Sequence, residues 1–121
     1  MIDTMKILLV DDDTFFLQDI KEILESNGHA VISANDGRST ISIFKLNNDI
    51  DLVITDFNMP NGNGLVVIKG IKEIQLEARI WLVSNVMNDE IGNEAKKLDA
   101  EKSVHKSNLI RELQKEGIIK K

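Results

Sequence analysis

A chain of 121 residues with 42% hydrophobic content is long enough to bury the core of one domain, and a single domain over 1–121 is predicted. Cysteine is absent, which excludes disulfides, thiolate metal sites and cysteine nucleophiles and suits a reducing cytoplasm. The 20 acidic against 15 basic residues give a net charge of −5, which argues against direct nucleic-acid binding; no apolar run approaches bilayer length, and Met1-Ile2-Asp3-Thr4-Met5-Lys6 lacks a signal-peptide core.

Lys6 to Val10 reads as a first strand, apolar without interruption as expected of a strand covered on both faces. Asp11-Asp12-Asp13 follows, and Asp13 or Thr14 caps a helix in which Phe16, Ile20, Ile23 and Leu24 form a core-facing stripe before Asn27-Gly28 stops it. His29 to Ala34 is a second strand. After Asn35-Asp36-Gly37 comes a weaker helix from about Arg38 to Leu46, with Ile41 and Phe44 inward.

Leu52 to Ile54 is a third buried strand that delivers Asp56 at its C-terminal end, just before Pro60, Gly62 and Gly64 force a loop. Leu65, Ile68 and Ile71 mark a third helix to about Gln75, with Val66, Val67 and Ile74 as apolar surplus, part of it exposed. Arg79 to Ser84 is the fourth strand and holds the single tryptophan, Trp81, as core packing. Asn88 or Asp89 then caps a helix carrying Ile91, Ala95 and Leu98 on one face. Lys102 to His105 is a short fifth strand, and a last helix from about Asn108 to Glu116 turns Leu109, Ile110 and Leu113 inward before Gly117.

Five strand-then-helix units imply an α/β fold: a parallel five-stranded sheet with helices on both faces, a three-layer doubly wound (βα)5 domain. In such a sheet the carboxyl ends of the strands gather the chemistry. Those ends here offer Asp11, Asp12, Asp13, Asp56, Ser84 and Lys106. Two unit charges about 4 Å apart repel by about 4 kcal/mol at an effective dielectric near 20, so clustered carboxylates either take up protons or bind a cation. Oxygen ligands without His or Cys select a hard ion such as Mg²⁺. A carboxylate beside such an ion can act as a nucleophile towards phosphorus, with Lys106 binding one phosphoryl oxygen and Ser84 donating to another.

The series Leu9-Val10-Asp11-Asp12, Asp56-x-Asn58-Met59-Pro60-x-x-x-Gly64, Ser84 closing the fourth strand and Lys106 closing the fifth resembles the response-regulator receiver domains of two-component signalling, over nearly the whole chain. The resemblance implies a flavodoxin-like sheet of order 2-1-3-4-5. It also implies phosphorylation at Asp56 and Mg²⁺ or Mn²⁺ held by Asp12, Asp56 and the Asn58 backbone carbonyl, with Asp11 acting through water. Ser84 and Lys106 are then the phosphoryl-binding and switch residues, and the donor is the phosphohistidine of a sensor histidine kinase or phosphotransfer protein. The output partner, or a second copy of the chain in a homodimer, would use the surface of Ile91, Ser103 and the last helix. A cytoplasmic switch is expected, not a turnover enzyme.

Three positions depart from the family pattern. Ser103 stands where a switching aromatic is common, so the coupled motion of hydroxyl and aromatic is not available in its usual form. Ser107 stands where a cis proline is usual; a non-proline cis bond costs about 2.5–4 kcal/mol, so a trans bond and a shifted loop are expected. Asn85 replaces a small residue beside the acceptor. The resemblance implies that Asn58 and Val86, two residues beyond the acceptor and the hydroxyl, flank the phosphoryl group, and because Val86 cannot orient water, slow self-dephosphorylation is expected.

Simpler readings compete. The acidic triplet alone suits the start of a helix, and Phe15 and Phe16 rule out an EF-hand loop. Gly62-Asn63-Gly64-Leu65-Val66 imitates a dinucleotide fingerprint but lacks its third glycine. His29 reads as a strand-edge residue, His105 as partly exposed, and Lys115, Lys120 and Lys121 as a solvated end. Ser103, Ser107 and Asn85 motivate an alternative function, a phosphate-independent scaffolding or pseudo-receiver module. A phosphohydrolase or flavin-binding domain would need a further acid/base or a phosphate-cradling loop, and neither is evident.

Overall fold

The computed structural model describes residues 3–121; Met1 and Ile2, part of the N-terminal stretch weighed above against a signal peptide, lie outside them. The elements run β1 (Lys6–Val10), α1 (Thr14–Ser26), β2 (Ala30–Ala34), α2 (Gly37–Leu46), β3 (Leu52–Asp56), α3 (Gly64–Ile74), β4 (Ile80–Ser84), α4 (Asp89–Lys97), β5 (Lys102–His105), a 3₁₀ turn (Lys106–Asn108) and α5 (Leu109–Lys115). All strand pairs are parallel and the order is β2-β1-β3-β4-β5, as the resemblance implied. Among the described residues no helix is long and apolar enough to cross a membrane.

The unbroken apolar runs become the middle of the sheet. β3 and β4 are buried throughout, and β1 is buried from Ile7 onward. Alternate residues feed two cores. Ile7, Leu9, Ile54 and Trp81 pack under α1 and α5, while Leu8, Val10, Val53 and Leu82 pack under α2, α3 and α4. Parallel central strands are covered on both faces, which is why periodicity of two vanishes from their sequence.

Several side chains land differently from expectation. Leu17 joins Ile20 and Leu24 in the core, whereas Phe16 is half-buried and Phe15 is 83% exposed. Val67 is fully buried, so the exposed surplus of α3 is Val66 and Ile74. Asp13, not Thr14, caps α1: its Oδ1 accepts from the Phe15 and Phe16 amides at 3.0 and 3.2 Å. His29 precedes β2 and is buried rather than at an edge; its Nδ1 accepts from the Met5 amide at 3.0 Å, so Nε2 carries the proton and donates to the Ile118 carbonyl at 2.6 Å. The residues after Gly117 are not a frayed end, because Ile118 and Ile119 are buried against Leu113 and α1.

Two glycines fix the loop after β3. A Cβ on Gly64 would collide with the Leu82 side chain and the Asp56 carbonyl, and one on Gly37 would collide with the Gly62 carbonyl. Gly37 also donates its amide to the Pro60 carbonyl at 3.3 Å. The loop between Asp56 and α3 is thereby clamped against the start of α2, with Asn61 and Gly62 in the left-handed region at φ 56° and 112°.

Candidate functional site

Parallel pairing sets the ends of β1 and β3 side by side: Val10 faces Thr55, so Asp11 and Asp56 leave the sheet at the same edge. Asp11, Asp12 and Asp56 each present a carboxylate oxygen within 4.8 Å of the others. Asp11 and Asp56 are buried and Asp12 is exposed, so the cluster opens to solvent on the Asp12 side. Asp11 Oδ1 accepts from the Asp13 amide at 2.9 Å, which ties the first carboxylate to the turn that starts α1.

Lys106 enters from the end of β5. Its Nζ lies 2.7 Å from Asp11 Oδ2 and 3.6 Å from Asp56 Oδ2, and its side chain is 10% exposed. The ammonium is the partner that Asp11 Oδ2 has within the buried centre. Burial works against the Lys106 charge, but Asp11 and then Asp56 outweigh it and hold the ammonium above the ordinary lysine range. Asp56 moves the other way from an ordinary carboxyl: burial pushes it up to about 6, Asp11 adds to the rise, and Lys106 opposes it. One ammonium for three carboxylates leaves the cluster short of positive charge.

The remaining predicted residues fall around this centre. Ser84 ends β4 and is fully buried; Val83 pairs with Asp56 in register, so Ser84 is one residue beyond the acidic centre's neighbour. Its Oγ accepts from the Val86 amide at 3.1 Å, which ties the hydroxyl to the following loop. Asn85 and Val86 are exposed in that loop, and Asn58 is exposed two residues past Asp56. Ser103 is not at the carboxyl ends of the strands: it pairs with Leu82 midway along the edge strand β5. Among the described residues every peptide bond is trans, including Lys106–Ser107. Ser107 packs its amide and hydroxyl on His105 Nδ1 at 3.1 and 2.8 Å, so a capped 3₁₀ turn takes the place of a proline corner.

Two contacts of the site are absent from the sequence reading. Asp13 is the turn residue that couples Asp11 to the helix cap, and Phe16 places its ring 4.6 Å from Lys106 Nζ. The available signal for Phe16 was its position in the first turn, where helical side chains point back towards the N-terminus and hence towards the strand ends.

The family model described as response regulator receiver domain matches residues 7–116. The chain is 31% identical over 115 residues to the chemotaxis protein CheY of Bacillus subtilis (strain 168), covering 94% of this chain and 91% of CheY. It is 38% identical over 93 residues to the transcriptional regulatory protein CpxR of Escherichia coli (strain K12), covering 72% of this chain; the match spans only 39% of CpxR. Among solved structures, a response regulator receiver domain protein from Clostridium thermocellum superposes with a TM-score of 0.86 at 31% identity, covering 94% of this chain and 90% of that one.

Proposed function

Because the chain belongs to the response regulator receiver domain family, we propose that it is one receiver domain of a two-component phosphorelay in which Asp56 accepts a phosphoryl group from a sensor histidine kinase or phosphotransfer protein. The observation that carries this reading is the meeting of Asp11, Asp12 and Asp56 within 4.8 Å around Lys106 at the carboxyl edge of the sheet. In the transfer an Asp56 carboxylate oxygen forms the new bond to phosphorus as the bond from phosphorus to the donor imidazole nitrogen breaks and its electron pair returns to that nitrogen. Asp56 is buried yet borders an exposed carboxylate, so it can be approached from one side only. That restriction favours in-line attack.

The donor set suits a hard divalent cation such as Mg²⁺ or Mn²⁺: the ligands are all oxygens, and three carboxylates share one ammonium. Asp12 and Asp56 would hold it with the Asn58 backbone carbonyl, and Asp11 would act through water. When bound, the ion withdraws charge from the phosphoryl oxygens. Lys106 supplies a second positive charge from the end of β5, and the Ser84 hydroxyl, which accepts from the Val86 amide and so keeps its own proton free, donates to a phosphoryl oxygen. Because Ser84 Oγ also accepts from the Val86 amide, movement of the hydroxyl towards a phosphoryl oxygen would draw the loop after β4 inward, and this is the step that a partner protein can sense. The protein is thus a switch rather than a turnover enzyme, and its place is the cytoplasm.

The test is intact mass after incubation with Mg²⁺ and acetyl phosphate, beside Asp56→Asn and a chelator control. A gain of one phosphoryl group that both controls abolish is the expected result. No gain by folded, Mg²⁺-binding protein would leave the phosphate-independent scaffold as the better reading.

A further inference from the structure

Lys106 sits on a four-carbon stem with free rotation about each bond, and the residue after it is Ser107 in a 3₁₀ turn, so the backbone alone does not fix its ammonium. The structure holds it from two sides. Asp11 and Asp56 attract Nζ from the sheet edge, and the Phe16 ring meets it at 4.6 Å from the α1 side. The backbone that carries the ring is itself held: Asp13 caps the helix by accepting from the Phe16 amide at 3.2 Å, and the Asp13 amide donates to Asp11 Oδ1 at 2.9 Å. Asp11, Asp13, Phe16 and Lys106 therefore close a loop of contacts in which the carboxylate that pairs with the lysine also sets the aromatic surface against it.

The geometry points to Phe16 as a positioning residue that retains the Lys106 ammonium beside Asp56 when the carboxylates are engaged by a divalent cation. This rests on the phosphoacceptor reading. An entering cation repels the ammonium and competes for Asp11 and Asp56, and the face of the Phe16 ring, with the weaker pull of the Asp13 charge, is an attraction that the cation does not draw away. Phe16 thereby opposes metal binding slightly, by keeping a positive charge in the site. In return it leaves the lysine where a phosphoryl oxygen will need it. A residue that merely supported the fold would affect both steps in the same direction.

The experiment combines wild type, Phe16→Leu, Phe16→Tyr, Lys106→Met and the Phe16→Leu/Lys106→Met double variant. Calorimetry gives the Mg²⁺ dissociation constant of each, and the phosphorylation rate is taken with acetyl phosphate at saturating Mg²⁺. For a largely desolvated cation over a ring, loss of the contact is expected to slow phosphorylation of Phe16→Leu about five- to thirtyfold. Its Mg²⁺ affinity rises severalfold, Phe16→Tyr stays within about twofold of wild type, and Phe16→Leu has no effect once Lys106 is Met. Parallel loss of both properties, or an equal effect with and without Lys106, would overturn the assignment. Proton NMR of the wild type needs no variant: the Lys106 ε-methylene protons are expected upfield, with cross-peaks to the Phe16 ring in the presence of Mg²⁺, and their absence would also overturn it. If the wild type takes up no phosphoryl group while its ε-methylene shift and the Phe16→Leu change in Mg²⁺ affinity are seen, the acceptor reading fails and the positioning role stands.

Discussion

Lys106 Nζ is nearly 1 Å nearer to Asp11 Oδ2 than to Asp56 Oδ2, at 2.7 against 3.6 Å, so the lysine of the site is anchored on the carboxylate of the first strand. Asp56 is left with the weaker share of the positive charge, and its burial then dominates its chemistry. The pair also explains why Asp11 tolerates full burial: its Oδ1 has the Asp13 amide and its Oδ2 has the ammonium.

Removing the ammonium therefore exposes a conflict among the acids. Lys106→Ala is expected to destabilise the metal-free protein by about 2–4 kcal/mol, because breaking a buried pair leaves an uncompensated charge. Mg²⁺ should repair most of this, so its stabilising effect is larger in the variant than in the wild type. Urea melts of both proteins with and without Mg²⁺ check the outcome. An equal Mg²⁺ effect in the two would mean that Lys106 does not compete for the acidic centre.

Asp56 makes stability depend on pH in a direction opposite to that of a salt-bridged carboxylate. Its folded value of about 6 lies above the ordinary 3.8, so the native state binds the proton more tightly than the unfolded chain does. The contribution is fully present below about pH 3.8 and is lost as pH rises through 6, with a ceiling of about 3 kcal/mol. Asp56→Asn removes this dependence. The variant is expected to be the more stable protein at pH 7.5 and to lose that advantage on acidification to pH 4. Mg²⁺ favours the ionised carboxylate and should flatten the wild-type profile. Parallel profiles for the two proteins without metal would contradict the burial argument.

The sheet and the acidic centre were legible because both are written in short runs. Ile7 to Val10 and Leu52 to Ile54 are apolar without alternation, which in a chain of strand-helix units points to central parallel strands, and the acids that follow them can only emerge at one edge. What was not legible depends on distances or on long-range partners. No local pattern tells that Lys106 prefers Asp11, or that Ser84 Oγ accepts from the Val86 amide of its own loop. Phe16 looked like a core residue because helical periodicity counts apolar residues without knowing where the first turn points. Ile118 and Ile119 lie beyond a helix-ending glycine, and their burial is created by His29 and α1, far away in sequence.

His29 offers a test of that hidden tie. Itself 89 residues from Ile118, it joins the residue before β1 to the C-terminal segment by satisfying one backbone donor and one backbone acceptor. His29→Leu keeps the bulk but leaves both backbone groups without partners, at about 1–3 kcal/mol for each that stays buried. The expected loss is about 2–4 kcal/mol in denaturant melts, with faster amide exchange at Met5. The acidic centre lies at the opposite ends of the strands, so Mg²⁺ affinity should be unchanged. A weakened Mg²⁺ site would show that the tie reaches across the sheet.

Val86 provides a kinetic test that stability cannot confuse, because its side chain is 63% exposed. Its amide donates to Ser84 Oγ, so position 86 is tied to the hydroxyl proposed to meet the phosphoryl group, yet its own side chain is a hydrocarbon. Hydrolysis of the acyl phosphate needs a water held in line with the bond to Asp56, and an isopropyl group cannot hold one. Val86→Gln adds a donor and an acceptor on an exposed loop without touching the core, and one hydrogen bond gained in the transition state is worth about tenfold in rate. The phosphorylated variant is therefore expected to lose its phosphate about tenfold faster than wild type at equal Mg²⁺, with an unchanged melting temperature, as followed by intact mass over time. Val86→Ala removes bulk without adding a polar group and should leave the half-life within about twofold. If the Gln and Ala variants accelerate hydrolysis equally, steric shielding rather than water orientation governs the lifetime, and Val86 acts as a lid.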